Sequence, residues 1–123
     1  MTEFVTALSE TLDRTAFERL AGEIDVEGAL ETFAVFYTDT QRRLLTLATI
    51  GLEANRKLVQ IEAHSLKSTA AMFGFTHLAK LAAWLEEAAL TIEDANFRAI
   101  LRDLGSTFAT GVVQFNAAFR QTA

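Results

Sequence analysis

Apolar residues recur along this chain at intervals of three and four, the spacing that gathers side chains on one face of an α-helix. Val26, Leu30, Phe33, Tyr37, Leu44 and Ala48 form the first long stripe, which follows Asp25 as a candidate N-cap and stops near Gly51. A second region opens at Leu58, and Val59, Ala63, Leu66, Ala70 and Phe73 share one face until Gly74 ends it as a helix C-cap. After Thr76, another candidate cap, Leu78, Leu81, Ala82, Leu85 and Ala89 repeat the pattern. The longest stripe, through Phe97, Leu101, Leu104, Phe108, Phe115 and Phe119, tolerates Gly105 and Gly111 at some cost in helix propensity. Upstream, Phe4, Leu8 and Leu12 at four-residue spacing, then Asp13 with Phe17 and Leu20, predict one or two short helices covering an end or flank of the rest.

These stripes predict an all-α protein. Short connections between the four long helices place successive ones antiparallel, so the expected arrangement is an antiparallel up-and-down four-helix bundle over 25–120. A short N-terminal helical extension over 1–22 completes a single domain of residues 1–123. The absence of proline, with only six glycines, suits a few long helices and argues against an all-β chain.

Composition changes the picture mainly by exclusion. With no cysteine and two histidines, a disulfide scaffold is ruled out and a Cys/His zinc site nearly so. A net charge of −5, from 16 acidic and 11 basic residues, offers no general attraction to nucleic acid or to anionic membranes. No basic cluster precedes an apolar run at the start, and no apolar run is long enough to span a bilayer. The expectation is therefore a cytoplasmic protein without nucleic-acid or membrane partners, and Met1 fits a free-standing one. A monomer is expected because the four stripes can satisfy one another.

A helical bundle can be an enzyme, a metal carrier, an adaptor or a signalling module, so function has to be argued from a site. Neither histidine has a glutamate three residues before it, which removes a ferritin-like di-metal centre. No phosphate-binding glycine loop, dinucleotide fingerprint or nucleophile elbow is present. What remains is His64. If the Val59/Ala63/Leu66/Ala70/Phe73 face is taken as zero, a step of about 100° per residue points His64 roughly 140° away, toward water. Gln60, Lys67, Ser68 and Ala71 fall on the same side, a small polar face centred on an imidazole.

That face suits a phosphoryl acceptor. A neutral imidazole is a good nucleophile near neutral pH and forms a labile, transferable phosphoramidate. Lys67, one turn on, can neutralise phosphoryl oxygens in a loose transition state, and the small Ser68 lets another protein close over the ring. Ten residues separate His64 from Gly74, about 15 Å along the helix, so the antiparallel neighbour passes it near residues 84 to 88. Glu86 lies there at the edge of the apolar stripe, either to accept a hydrogen bond from Nδ1–H or as a solvated flank residue. Ala71, with parts of Met72 and Phe75, would supply an apolar rim, and Arg56, Lys57 and Lys67 a locally positive surround. His77 reads as a surface residue, the ten phenylalanines largely as core, and Trp84 as a partly buried flank in preference to part of a docking surface.

The segment Ala63-His64-Ser65-Leu66-Lys67-Ser68, with Ala70, Gly74, Leu78 and the Leu85-Glu86 pair, resembles the signature of histidine-containing phosphotransfer (HPt) domains. The resemblance implies a phosphorelay carrier that accepts a phosphoryl group from the aspartate of one receiver domain and passes it to another. It implies His64 as phosphoacceptor through Nε2, Lys67 as the supporting lysine and Ser68 as the small clearance position, where the family more often has glycine. Its partners would be response-regulator receiver domains and a hybrid sensor histidine kinase. Mg²⁺ would reside on the receiver, leaving this chain without cofactor, metal or autokinase apparatus. The rival from another class is a helical adaptor that binds signalling partners without being phosphorylated. An enzyme with a site buried between helices ranks last, since no convergent catalytic pair can be named.

Overall fold

Three helices of this chain begin on the side chain of an Asp or Asn that accepts a hydrogen bond from a backbone N–H otherwise left without a partner. Asp13 accepts from Thr15, Asp25 from Gly28 and Asn55 from Leu58. In the computed structural model, which describes residues 12–120, the helices are α1 (Arg14–Glu23), α2 (Val26–Ile50), α3 (Arg56–Met72), α4 (Thr76–Ala88) and α5 (Asp94–Phe119). The described residues are helical with no strand, as the apolar periodicity predicts. Met1, Phe4 and Leu8 lie outside the described residues.

Two glycines end helices by adopting positive φ, +73° at Gly51 after α2 and +77° at Gly74 after α3. At Gly74 the lack of a side chain matters twice, because a Cβ there would stand 2.1 Å from the carbonyl oxygen of Asp13. The Asp13 N–H donates to the Gly74 carbonyl at 2.6 Å, which clips the start of α1 onto the α3–α4 turn.

The α4 start differs from the sequence expectation. Thr76 is the first residue of the helix, and Phe75 occupies the cap position without a side-chain hydrogen bond. The turn is too tight for a separate capping residue: the Phe75 N–H reaches back to the Ala70 carbonyl at 2.9 Å, and its ring is fully buried. Gly111 makes room for that ring, since a Cβ on it would sit 2.6 Å from Phe75 Cε2. A buried aromatic therefore anchors α4 where a hydroxyl cap is expected. Likewise α3 starts at Arg56 on Asn55, ahead of Leu58.

The core is largely aromatic. Phe33 stacks on Phe115 at 3.6 Å between centroids, Phe36 on Phe73 at 4.7 Å, and Phe75 meets Phe36 edge-on at 5.1 Å. Each such pair contributes about 0.5–1.5 kcal/mol beyond the burial of its area. Phe17 ties α1 to α5 through Phe115 and Phe119. Contacts across two pairs of neighbours fix their directions. Phe36 meets Phe73 while Arg43 meets Glu62, and Arg56 meets Ala89 while Gln60 meets Glu86, so α2 opposes α3 and α3 opposes α4. The α3–α4 contact is the most extensive in the fold, with Ala63, Ala70 and Ala82 fully buried on the two helices. Small side chains there let the helices approach closely, which is what brings a side chain of α4 within reach of α3.

Candidate functional site

Alternation of buried and exposed positions along α3 places His64. Ala63 and Leu66 are fully buried, and the helix turn between them carries residue 64 to the outer face at the middle of α3. The His64 side chain is 61 % exposed. Glu86 rises from α4 beside it and engages two residues at once. One carboxylate oxygen lies 2.5 Å from His64 Nδ1, and the other lies 2.5 Å from the Lys67 ammonium.

That geometry determines which ring nitrogen is free. Lys67 above all, with a smaller contribution from His64, holds the Glu86 carboxyl below its ordinary range by hydrogen bonding, against the opposing effect of burial. An ionised carboxylate only accepts hydrogen bonds, so the neutral imidazole beside it carries its proton on Nδ1. The lone pair is then on Nε2, the nitrogen turned away from Glu86.

The remaining members of the face are brought together as well. Gln60 donates to the Glu86 backbone carbonyl at 3.4 Å and accepts from Lys57 at 3.1 Å, fixing α4 one turn from His64. The Ser68 hydroxyl turns back onto the His64 carbonyl at 3.3 Å, so only a small group stands beside the imidazole. Among the described residues, no cluster of His, Cys, Asp and Glu is arranged to hold a metal ion.

Two sequence expectations about the surround are corrected. Phe75 contributes nothing to an apolar rim, because it is fully buried against Gly111. Arg56 does not face the histidine: its guanidinium binds the Ala89 and Ile92 carbonyls at 3.1 and 2.8 Å and pairs with Glu53. Met72 is exposed, as expected, and Ile61 joins it as a half-exposed apolar residue that sequence reasoning overlooked. The helix arithmetic that selects Ser68 also places Ile61 and Met72 roughly 60–80° from His64, on the side away from Glu86. The Lys67–Glu86 ion pair was overlooked too, although both residues lie on the α3–α4 side with opposite charge. His77 is exposed at the far end of the helix pair, and Trp84 is half exposed, as a partly buried flank residue should be.

Among the described residues no helix is long and apolar enough to cross a membrane. Residues 31–115 match the Hpt domain, a span that includes α3, α4 and every residue of the His64 face. No curated protein and no solved structure matches the chain. Hpt domains are phosphocarriers rather than enzymes, act in histidine phosphotransfer within phosphorelays, and interact with receiver domains and histidine kinases. Matched over more than half its length and helical through its described residues, this chain belongs to the Hpt domain family.

Proposed function

We propose that this protein is a phosphorelay carrier in which His64 accepts a phosphoryl group from a receiver-domain aspartate and delivers it to another. The observation that carries this reading is the Glu86 carboxylate on His64 Nδ1, which leaves a nucleophilic Nε2 on an exposed helix face. In the transfer, the Nε2 lone pair attacks phosphorus in line with the aspartyl oxygen. The N–P bond forms as the P–O bond breaks, and the bonding pair leaves with the aspartate carboxylate. Nδ1 keeps its proton, so the ring gains positive charge, which the adjacent Glu86 carboxylate stabilises. Lys67 neutralises the phosphoryl oxygens, Ser68 provides clearance, and Gln60 holds α4 in register. Mg²⁺ would reside on the receiver and would supply charge neutralisation to the phosphoryl group there.

The surroundings support the same reading. Met72, Ile61 and Ala71 offer an apolar border around a polar centre, and Lys57 with Lys67 complements an acidic receiver pocket. Its partners are a hybrid sensor histidine kinase and response-regulator receivers, in the cytoplasm, with the chain acting as a monomer and one domain. The pairwise opposed helices assemble as an antiparallel up-and-down four-helix bundle with α1 laid across one end.

The test is label transfer from a phosphorylated receiver domain, with Mg²⁺, to the wild-type chain and to His64→Gln. Acid-labile label on the wild type and none on the variant supports the reading. If neither takes label from several receivers although both are folded, the chain is an adaptor that binds without being phosphorylated.

A further inference from the structure

Glu86 uses both oxygens in the unphosphorylated protein, one on the histidine and one on the lysine. The lysine ammonium therefore rests at the carboxylate facing Nδ1, whereas the phosphoryl group is to be carried on Nε2. Lys67 is 37 % exposed and sits on a flexible four-carbon stem with three rotatable donors, so it is free to exchange partners. We infer that Glu86 is a positioning residue that holds Lys67 in reserve, releasing it to the phosphoryl group only once His64 is loaded, an inference that rests on His64 being the acceptor.

The exchange follows from charge. A phosphoryl group carries close to two negative charges and three acceptor oxygens, against one charge on the carboxylate, so it takes the ammonium when it arrives. The Glu86 oxygen vacated by Lys67 is no longer neutralised by it. Its full charge then bears on the imidazole, which becomes positive in the same step. One carboxylate is thus shared by two cations that need it at different moments: the lysine before transfer and the phosphorylated ring after it.

Holding Lys67 in reserve means that Glu86 competes with the phosphoryl group for it, and a double-mutant cycle isolates this competition. The labelled fraction at equilibrium with a phosphorylated receiver is measured for wild type, Lys67→Ala, Glu86→Gln and the double variant. In Glu86→Gln the amide oxygen still accepts from Nδ1–H, and any effect on the ring cancels because both Glu86→Gln proteins share it. The expected result is that Lys67→Ala lowers the ratio of labelled to unlabelled chain more in the Glu86→Gln background than in wild type. The excess should be about two- to fivefold, the range an exposed ion pair can supply. An equal cost in both backgrounds, or a smaller one in Glu86→Gln, would overturn the inference, the smaller one meaning that Glu86 aims Lys67 at the phosphoryl group. No label on any of the four proteins would instead remove the acceptor role of His64, and the inference with it.

Discussion

His64 Nδ1 and Glu86 Oε2 lie 2.5 Å apart although 22 residues separate them in the chain. The separation is bridged by the Phe73-Gly74-Phe75 turn, which folds α4 back along α3, and the contact is made at the middle of α3. A carboxylate on one ring nitrogen determines what the other can do, and the first expectation concerns that pairing.

Glu86→Ala leaves Nδ1–H to water and the ring free to rotate and to change tautomer. Transfer to the chain should slow by about tenfold or more, the usual cost of losing a group that orients a reactive imidazole. Single-turnover label transfer measures the rate, and the nitrogen chemical shifts of His64 should show mixed tautomers where the wild type shows proton on Nδ1. An unchanged rate removes Glu86 from the mechanism.

Ser68→Gln places a long side chain one turn from the imidazole, where a receiver must approach. Receiver binding and transfer should both weaken, while stability changes by no more than about 0.5 kcal/mol, as is usual for an exposed helical site without special contacts. Titration of a receiver against the variant, beside a urea unfolding curve, separates the two effects. Wild-type transfer by this variant means that the partner approaches from elsewhere.

Acid should weaken the Glu86 contacts in a defined direction. Lys67 first, and then His64, hold the folded-state carboxyl below its ordinary value of 4.5, so over that window the unfolded chain binds more protons than the folded one. The resulting stabilisation is complete above the unfolded value and disappears as pH falls through the lower folded value. Urea midpoints of wild type and Glu86→Gln should therefore differ near neutral pH and converge below pH 4.5. A gap that persists well below pH 4.5 contradicts the assignment.

Gly74→Ala tests the turn. Alanine at φ +77° is strained, and its Cβ would press on the Asp13 carbonyl oxygen, so stability should fall by about 2 kcal/mol or more. Denaturant unfolding measures the loss. A change within error means that the Asp13–Gly74 clip relaxes at no cost.

The fold was legible because its signals are local and repeated. Asp25 caps α2 and Gly51 ends it as the residue types suggest, and most stripe residues enter the core or pack against it, but on α2 Val26 and Ala48 are exposed while Ala29, Phe36 and Leu47, off the predicted stripe, are buried. What failed was extrapolation past a break in register. Placing Phe75 on a rim with Met72 assumes one continuous helix, but Gly74 at positive φ rotates the chain and turns that ring inward against Gly111. Arg56 was misread for a related reason. A helical projection shows which face a side chain leaves from, but it is blind to the loop carbonyls of Ala89 and Ile92 that capture the guanidinium. The position of Glu86 opposite His64 follows from helix rise and the length of the turn alone, whereas the claim of Lys67 on the same carboxylate needed side-chain geometry.

The α3–α4 pair is fastened at both ends, by the tight turn in which the Phe75 N–H donates to the Ala70 carbonyl and by Arg56 gripping the Ala89 and Ile92 carbonyls at the other. Between two fastenings a helix cannot slide, so the distance from residue 86 to residue 64 is set by length, as on a ruler, and not by the amino acids exposed in between. Ala71, Met72 and Ile61 can then be exchanged to suit a different receiver while the reactive nitrogen stays where it is. Rewiring such a carrier to a new circuit becomes a matter of repainting its surface, with the chemistry left untouched underneath.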